Sequence, residues 1–99
     1  MVRLIWSPRS LRDLDAICEY IARDSEYYAR VFARRLLRFI ESIPRHPLLG
    51  EVVPEYGNQT LRERRFRDYR IVYRVFADRV ELVTIFHGAR TLPPSPPQS

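Results

Sequence analysis

The sequence predicts an α+β fold, in which an N-terminal strand and an αα-hairpin pack on one face of an antiparallel sheet that ends in a C-terminal three-stranded meander. Apolar residues recur at spacings of three and four through the first half, which is typical of amphipathic helices. In Tyr69–Phe76 the side chains follow a period of two instead, which is typical of a half-buried strand, and two further strand-like runs flank this segment. The helices therefore precede most of the sheet.

The N-terminal half opens with a short apolar run, Val2–Trp6, which predicts the first strand. Ser7 and Pro8 form a helix start, because serine caps the first turn and proline fits its first position. The predicted helix extends from Pro8 to about Arg23. Its apolar face comprises Leu11, Leu14, Ile17, Cys18 and Ile21.

A second helix is predicted from Glu26 to about Ile43, with Ser25 as its cap and Pro44 as its end. Because so few residues separate the helices, they must lie antiparallel. The apolar stripe comprises Tyr28, Val31, Phe32, Leu36, Phe39, Ile40 and Ile43. In the long loop that follows, four apolar residues are expected to pack on the body, namely Leu48, Leu49, Val52 and Val53.

Three strands are predicted in the meander, over Leu61–Phe66, Tyr69–Phe76 and Val80–His87. The arginine-rich first strand is expected at a sheet edge, where charge opposes unwanted pairing. The second should place its odd-numbered residues in the core and Arg70 and Arg74 on an open face. Strict alternation in the third places Val80, Leu82, Thr84 and Phe86 on one side, and its apolar residues on both sides predict a strand covered on both faces.

Length and composition predict one domain over residues 1–91 and a disordered, proline-rich tail over residues 92–99. A single cysteine excludes an internal disulfide framework and favours the reducing cytoplasm. No apolar run is long enough to cross a membrane. All 17 basic side chains are arginine, and the net charge of +5 predicts an anionic partner, either nucleic acid or an acidic protein segment.

Arginines in and after the meander are the candidates for binding phosphate or an acidic partner. They are Arg62, Arg64, Arg65, Arg70, Arg74 and Arg90. Glu63 and His87 are the nearest candidates for acid–base catalysis, although a salt-bridge glutamate and a half-buried packing histidine are the simpler interpretations. No motif for a cofactor or a metal is present, so no cofactor is expected.

Four segments resemble the RelE/ParE superfamily of toxins from bacterial type II toxin–antitoxin modules. They are IWSPRSLRDLDAICEYIARDS, IPRHPLLGEVVPE, RFRDYRIVYRV and LVTIFHGAR. The resemblance implies two helices packed on an antiparallel sheet, in agreement with the fold above. Arg70 and Arg90 stand where RelE-like nucleases carry arginines, but the lysines of such nucleases would fall near Leu61 and Glu63, and the tyrosine expected after Arg90 is missing.

The resemblance implies one of three functions. The HGAR ending and the N-terminal pattern favour a ParE-like toxin that inhibits DNA gyrase; the alternatives are a RelE-type endonuclease that cuts mRNA on the ribosome, or an inactive homologue that serves only as an antitoxin partner. In each case a cognate antitoxin is implied, acidic and partly disordered, that folds across the toxin. DNA would be contacted only indirectly, through that antitoxin.

Overall fold

The computed structural model describes residues 2–90, so the predicted tail over residues 92–99 lies outside the described residues and stays a prediction. The described elements agree closely with those predicted. They are β1 (Arg3–Trp6), α1 (Pro8–Ala22), α2 (Glu26–Ser42), two 3₁₀ turns (Ile43–Arg45 and Pro47–Leu49), β2 (Glu51–Val52), β3 (Leu61–Phe66), β4 (Tyr69–Val75) and β5 (Arg79–His87). No helix in residues 2–90 is both long and apolar enough to cross a membrane.

Five strands form one sheet in the order β1-β5-β4-β3-β2. The predicted meander is present as the antiparallel series β3, β4 and β5. Two features add to the predicted α+β fold: β1 runs parallel to β5, and the two-residue β2 pairs with β3. The expected edge position of β3 is wrong, because β2 lies outside it, although β2 covers only Arg62 and Glu63.

Both helices begin at the predicted caps. Ser7 Oγ accepts the Ser10 N–H at 3.0 Å, and Ser25 Oγ accepts the Tyr28 N–H at 3.1 Å. These bonds satisfy amide groups that have no partner inside the helix. The prediction that Leu11 and Tyr28 belong to the packed apolar faces of the helices is wrong, because these residues are 49% and 45% exposed.

Apolar residues pack against both faces of the sheet. The helix-side core joins α2 to the sheet and contains Phe32, Leu36, Ile40, Ile43, Ile71, Tyr73, Val80, Leu82 and Ile85. A smaller far-side core contains Val53, Leu61, Val72, Val83 and Phe86. The far face is therefore not open as predicted, because the segment after β2 folds back over it. Val53 packs there as expected, whereas Leu48 and Leu49 remain exposed.

A β-bulge interrupts the alternation of β5. Val72 pairs with Thr84 and the next residue, Tyr73, pairs with Leu82, which leaves Val83 as the extra residue. A bulge shifts the side-chain phase of a strand by one residue. Ile85 consequently lies in the helix-side core and Phe86 in the far-side core. The predicted strict alternation along this strand is wrong beyond the bulge.

Candidate functional site

The arginines of the meander are divided between the two faces of the sheet. Directly paired residues of antiparallel strands share a face. Arg62 and Arg64 stand opposite β4 residues of the helix-side core, whereas Arg65 stands opposite Arg70. Arg74 stands opposite Leu61 of the far-side core. The prediction that the arginines of the meander share a single face is therefore wrong.

Arg70 lies at the centre of an ion triad on the far face, in which Arg70 and Glu63 are buried and Glu55 is exposed. Its Nε donates to both carboxylate oxygens of Glu63, at 3.1 and 3.2 Å, and its Nη2 also contacts Glu63. Nη1 and Nη2 each donate at 2.8 Å to one oxygen of Glu55. The guanidinium carbon lies 5.1 Å from the centre of the Phe86 ring. Arg70 is 5% exposed, so the predicted open placement of this arginine is wrong.

The ionised forms of the triad stabilise one another. Hydrogen bonds from Arg70 lower the pKa of Glu55 from 4.5 to about 2, against the opposing effect of desolvation and with smaller electrostatic contributions from Arg70 and Arg65. Hydrogen bonds to Glu55 and then to Glu63 raise the pKa of Arg70. The sequence identifies Glu63 as a salt-bridge partner but not Glu55. The only feature of the sequence that points to Glu55 as a partner of Arg70 is its position in a turn, directly after Val53 and Pro54.

Arg62 and Arg64 are engaged in structural contacts on the other side of β3. Arg62 Nε donates to the Gln59 carbonyl at 2.9 Å, and its Nη1 donates to the Gly50 carbonyl at 3.2 Å. The guanidinium of Arg64 lies 4.6 Å from the centre of the Phe39 ring. These contacts hold the loop and the end of α2 against the sheet. Arg65, in contrast, is exposed.

His87 and Arg90 lie together at the end of β5, apart from the triad. His87 pairs in register with Tyr69 and packs edge-to-face on its ring, with centroids 5.7 Å apart. Both His87 and Arg90 are exposed, so the predicted half-burial of His87 is wrong, although its ring does pack on a neighbouring side chain. They line a cleft of about 380 Å³ beside α1, together with Asp13, Tyr20, Tyr69 and apolar residues.

The four residues considered for catalysis are thus divided into two pairs. Glu63 contacts Arg70 in the far-side triad, whereas His87 and Arg90 line the cleft beside α1. His87 pairs with Tyr69, which directly precedes Arg70 in β4. Because neighbouring residues of a strand point to opposite faces, His87 and Arg70 lie on opposite faces of the sheet. Within residues 2–90, no group of three or more acidic, histidine or cysteine side chains is arranged to hold a metal ion.

A family model described as the ParE toxin of the type II toxin–antitoxin system, parDE, matches residues 4–92. The chain belongs to this family. It is also 35% identical to "Toxin RelE2" of Caulobacter vibrioides over 91 residues, which are 91% of this chain and 99% of that protein. Membership of the family implies a cognate antitoxin as partner.

Two solved structures share the fold of this chain. A chain of the chromosomal ParDE TA system from P. aeruginosa superposes with a TM-score of 0.71 at 19% identity, over 88% of this chain and 96% of that chain. The YoeB dimer from Staphylococcus aureus superposes with a TM-score of 0.58 at 18% identity, over 84% and 92% of the two chains. These similarities show that the fold of this chain, two helices packed on a five-stranded sheet, matches the fold of those two structures.

Proposed function

We propose that this ParE-family toxin inhibits growth by binding DNA gyrase in the cytoplasm, without cutting nucleic acid. The observation that carries the proposal is the state of Arg70, the arginine of the meander that aligns with RelE-like nucleases. Two carboxylates neutralise its guanidinium, which is 5% exposed. A phosphodiester substrate would need that positive charge at its reacting phosphate.

The division of the candidate residues supports the same proposal. Transesterification needs a general base and a general acid within hydrogen-bond reach of one phosphate. Glu63 is buried against Arg70, while His87 is exposed in the cleft beside α1. A toxin that acts by docking needs no such convergence, and the exposed arginines remain available to bind an acidic surface.

A supercoiling assay with purified gyrase tests this function directly. The toxin is expected to inhibit supercoiling in proportion to its concentration, and addition of the cognate antitoxin is expected to restore activity. A parallel translation reaction, analysed by primer extension, should show intact mRNA. Cuts in phase with codons, together with normal supercoiling, would overturn the proposal.

The alternative is a ribosome-dependent endonuclease, favoured by the similarity to a protein named Toxin RelE2 and by the exposed His87 and Arg90 in one cleft. Arg90→Ala is the clean test, because the side chain is exposed and its removal leaves the core intact. Under the alternative, this variant should lose mRNA cutting while it unfolds at the same temperature as the wild type. In contrast, a toxin that inhibits gyrase by binding would not require His87 as a catalytic residue.

A further inference from the structure

The outer edge of β1 is a border of the sheet, and no other strand within residues 2–90 pairs with it. The backbone amides of Arg3 and Ser7 donate inward, to carbonyls on the β5 side, at 3.2 and 3.1 Å. Because backbone groups alternate in direction along a strand, those of Leu4 and Trp6 point outward. Unpaired outward groups of this kind are a template on which a further strand can pair.

Apolar side chains flank this edge on both faces of the sheet. On the helix side, Leu4 and Trp6 are only partly buried against the core, and they line a groove of about 910 Å³ together with the end of α2 and the turn that follows it. Ile5, which the alternation of the strand places on the far side, is 38% exposed. A strand that pairs with β1 would therefore bury apolar surface as well as satisfy backbone hydrogen bonds.

The charges around the groove are balanced, and this balance indicates which partner fits. Glu41 and Arg45 both line the groove and carry opposite charges. Next to the edge, a guanidinium nitrogen of Arg3 lies 3.7 Å from a carboxylate oxygen of Asp78. An acidic antitoxin would gain little from such a neutral surface, whereas a second copy of this chain brings the same balanced set of charges and meets it without net repulsion. Charge complementarity therefore favours a second copy.

We propose that two copies of this chain form a dimer by antiparallel pairing of β1 with β1, about a two-fold axis that passes between the two copies of Ile5. The two sheets then become one continuous sheet. Leu4 of one protomer pairs with Trp6 of the other, and these outward-pointing residues exchange their N–H and C=O hydrogen bonds. The same patch serves on both protomers, as a two-fold interface requires. This dimer is independent of the cellular target of the toxin.

The position of the axis follows from the residues that it brings together. With the axis at Ile5, the two Ile5 side chains form a non-hydrogen-bonded pair, which is the closest kind of cross-strand pair, and cover each other. Arg3 then lies opposite Ser7, so no like charges face each other. An axis one residue earlier, at Leu4, would instead place Ile5 opposite Arg3 and leave an apolar side chain facing a charge. The pairing is centred on Ile5 for this reason.

A disulfide between the two protomers tests the register. Ile5→Cys, made in a Cys18→Ser background, should give a covalent dimer under mild oxidation, because opposite side chains of a non-hydrogen-bonded pair are close enough for a disulfide. Arg3→Cys in the same background is the matched control, since it is exposed on the same strand and the same face but lies opposite Ser7. Non-reducing electrophoresis measures both variants, and equal yields of covalent dimer would overturn the proposed pairing.

Sedimentation equilibrium measures the dimer without a crosslink. Ile5→Asp should raise the dissociation constant at least about tenfold, because it replaces an apolar pair with two facing carboxylates. This variant should unfold at the same temperature as the wild type, since Ile5 lies outside both cores. Leu49→Asp is the matched control: it makes the same kind of change at an exposed leucine next to β2, at the opposite border of the sheet, and should dimerise like the wild type.

Other occupants of the edge give different results. A wild type that stays monomeric at about 100 µM, a concentration at which even small specific interfaces associate, would overturn the proposal. If the wild type were monomeric and Ile5→Asp weakened binding of the antitoxin, the edge would belong to the antitoxin, and the proposal would again be overturned.

Discussion

Arg70 illustrates how a residue type alone does not determine a role. The same guanidinium could bind a ligand phosphate from an exposed strand or neutralise carboxylates from a buried one. Here it lies under the segment that covers the far face, so that two carboxylates and the Phe86 ring surround it. At the scale of single residues, Arg70 contributes to stability through its buried partner, Glu63.

We predict that Arg70→Met destabilises the protein by about 3–5 kcal/mol, because the Glu63 carboxylate would remain buried without a partner. Urea denaturation followed by circular dichroism measures the change. Replacing both residues, in Arg70→Met with Glu63→Met, should recover most of the loss, since no unpaired charge would remain in the core. A cost below about 1 kcal/mol for the single variant would contradict the buried pair.

The Glu55 contact has a defined pH dependence. Its pKa in the folded state, about 2, lies below the ordinary value of 4.5, so the ionised carboxylate stabilises the fold above about pH 4.5 and loses this effect as the pH falls towards 2. The difference in unfolding free energy between wild type and Glu55→Gln should be constant between about pH 5 and 8 and shrink below that range. Urea titrations across this range measure it; a difference that grows in acid would refute the assignment.

At the scale of elements, the outer edge of β5 shows how a long strand beside a short one is protected. β1 pairs with β5 only as far as Leu82. Beyond it, the Ser7 hydroxyl donates to the Val83 carbonyl at 3.0 Å, and the Asp13 carboxylate accepts the Ile85 N–H at 3.0 Å and also the Thr84 hydroxyl. Side chains of α1 and its cap thus replace a strand at this edge.

Asp13→Ala should therefore destabilise the fold by about 1–3 kcal/mol, because it leaves a buried hydroxyl and a strand N–H without an acceptor. Asp15→Ala removes an exposed carboxylate from the same helix and should change stability by less than about 0.5 kcal/mol. Thermal unfolding of the two variants compares them directly. Equal melting temperatures would show that Asp13 does not hold the edge.

At the scale of the whole molecule, the net charge of +5 should steer an acidic antitoxin to the toxin. Salt screens long-range attraction, so the association rate constant should fall by roughly tenfold between low and high ionic strength, while the dissociation rate constant changes less. Stopped-flow measurements at several sodium chloride concentrations test this expectation. An association rate that does not depend on salt would argue against electrostatic steering.

The sequence by itself determined both helices, the four main strands and their order. Helix caps at Ser7 and Ser25, the stop at Pro44 and the alternation in β4 depend on interactions within a few residues, and the four main strands and both helices agree with them. The four sequence segments that resemble the RelE/ParE superfamily all lie within residues 4–92, which the family model matches. Local rules suffice for such features because neighbours along the chain decide them.

Only the tertiary structure decided which groups meet. The parallel direction of β1 and the bulge at Val83 depend on pairing between distant segments. One extra residue in β5 reversed the faces of Ile85 and Phe86, and a turn placed Glu55 on Arg70 across 15 positions. Burial then turned an arginine predicted to bind phosphate into the centre of an ion triad, because charge needs a partner once water is excluded.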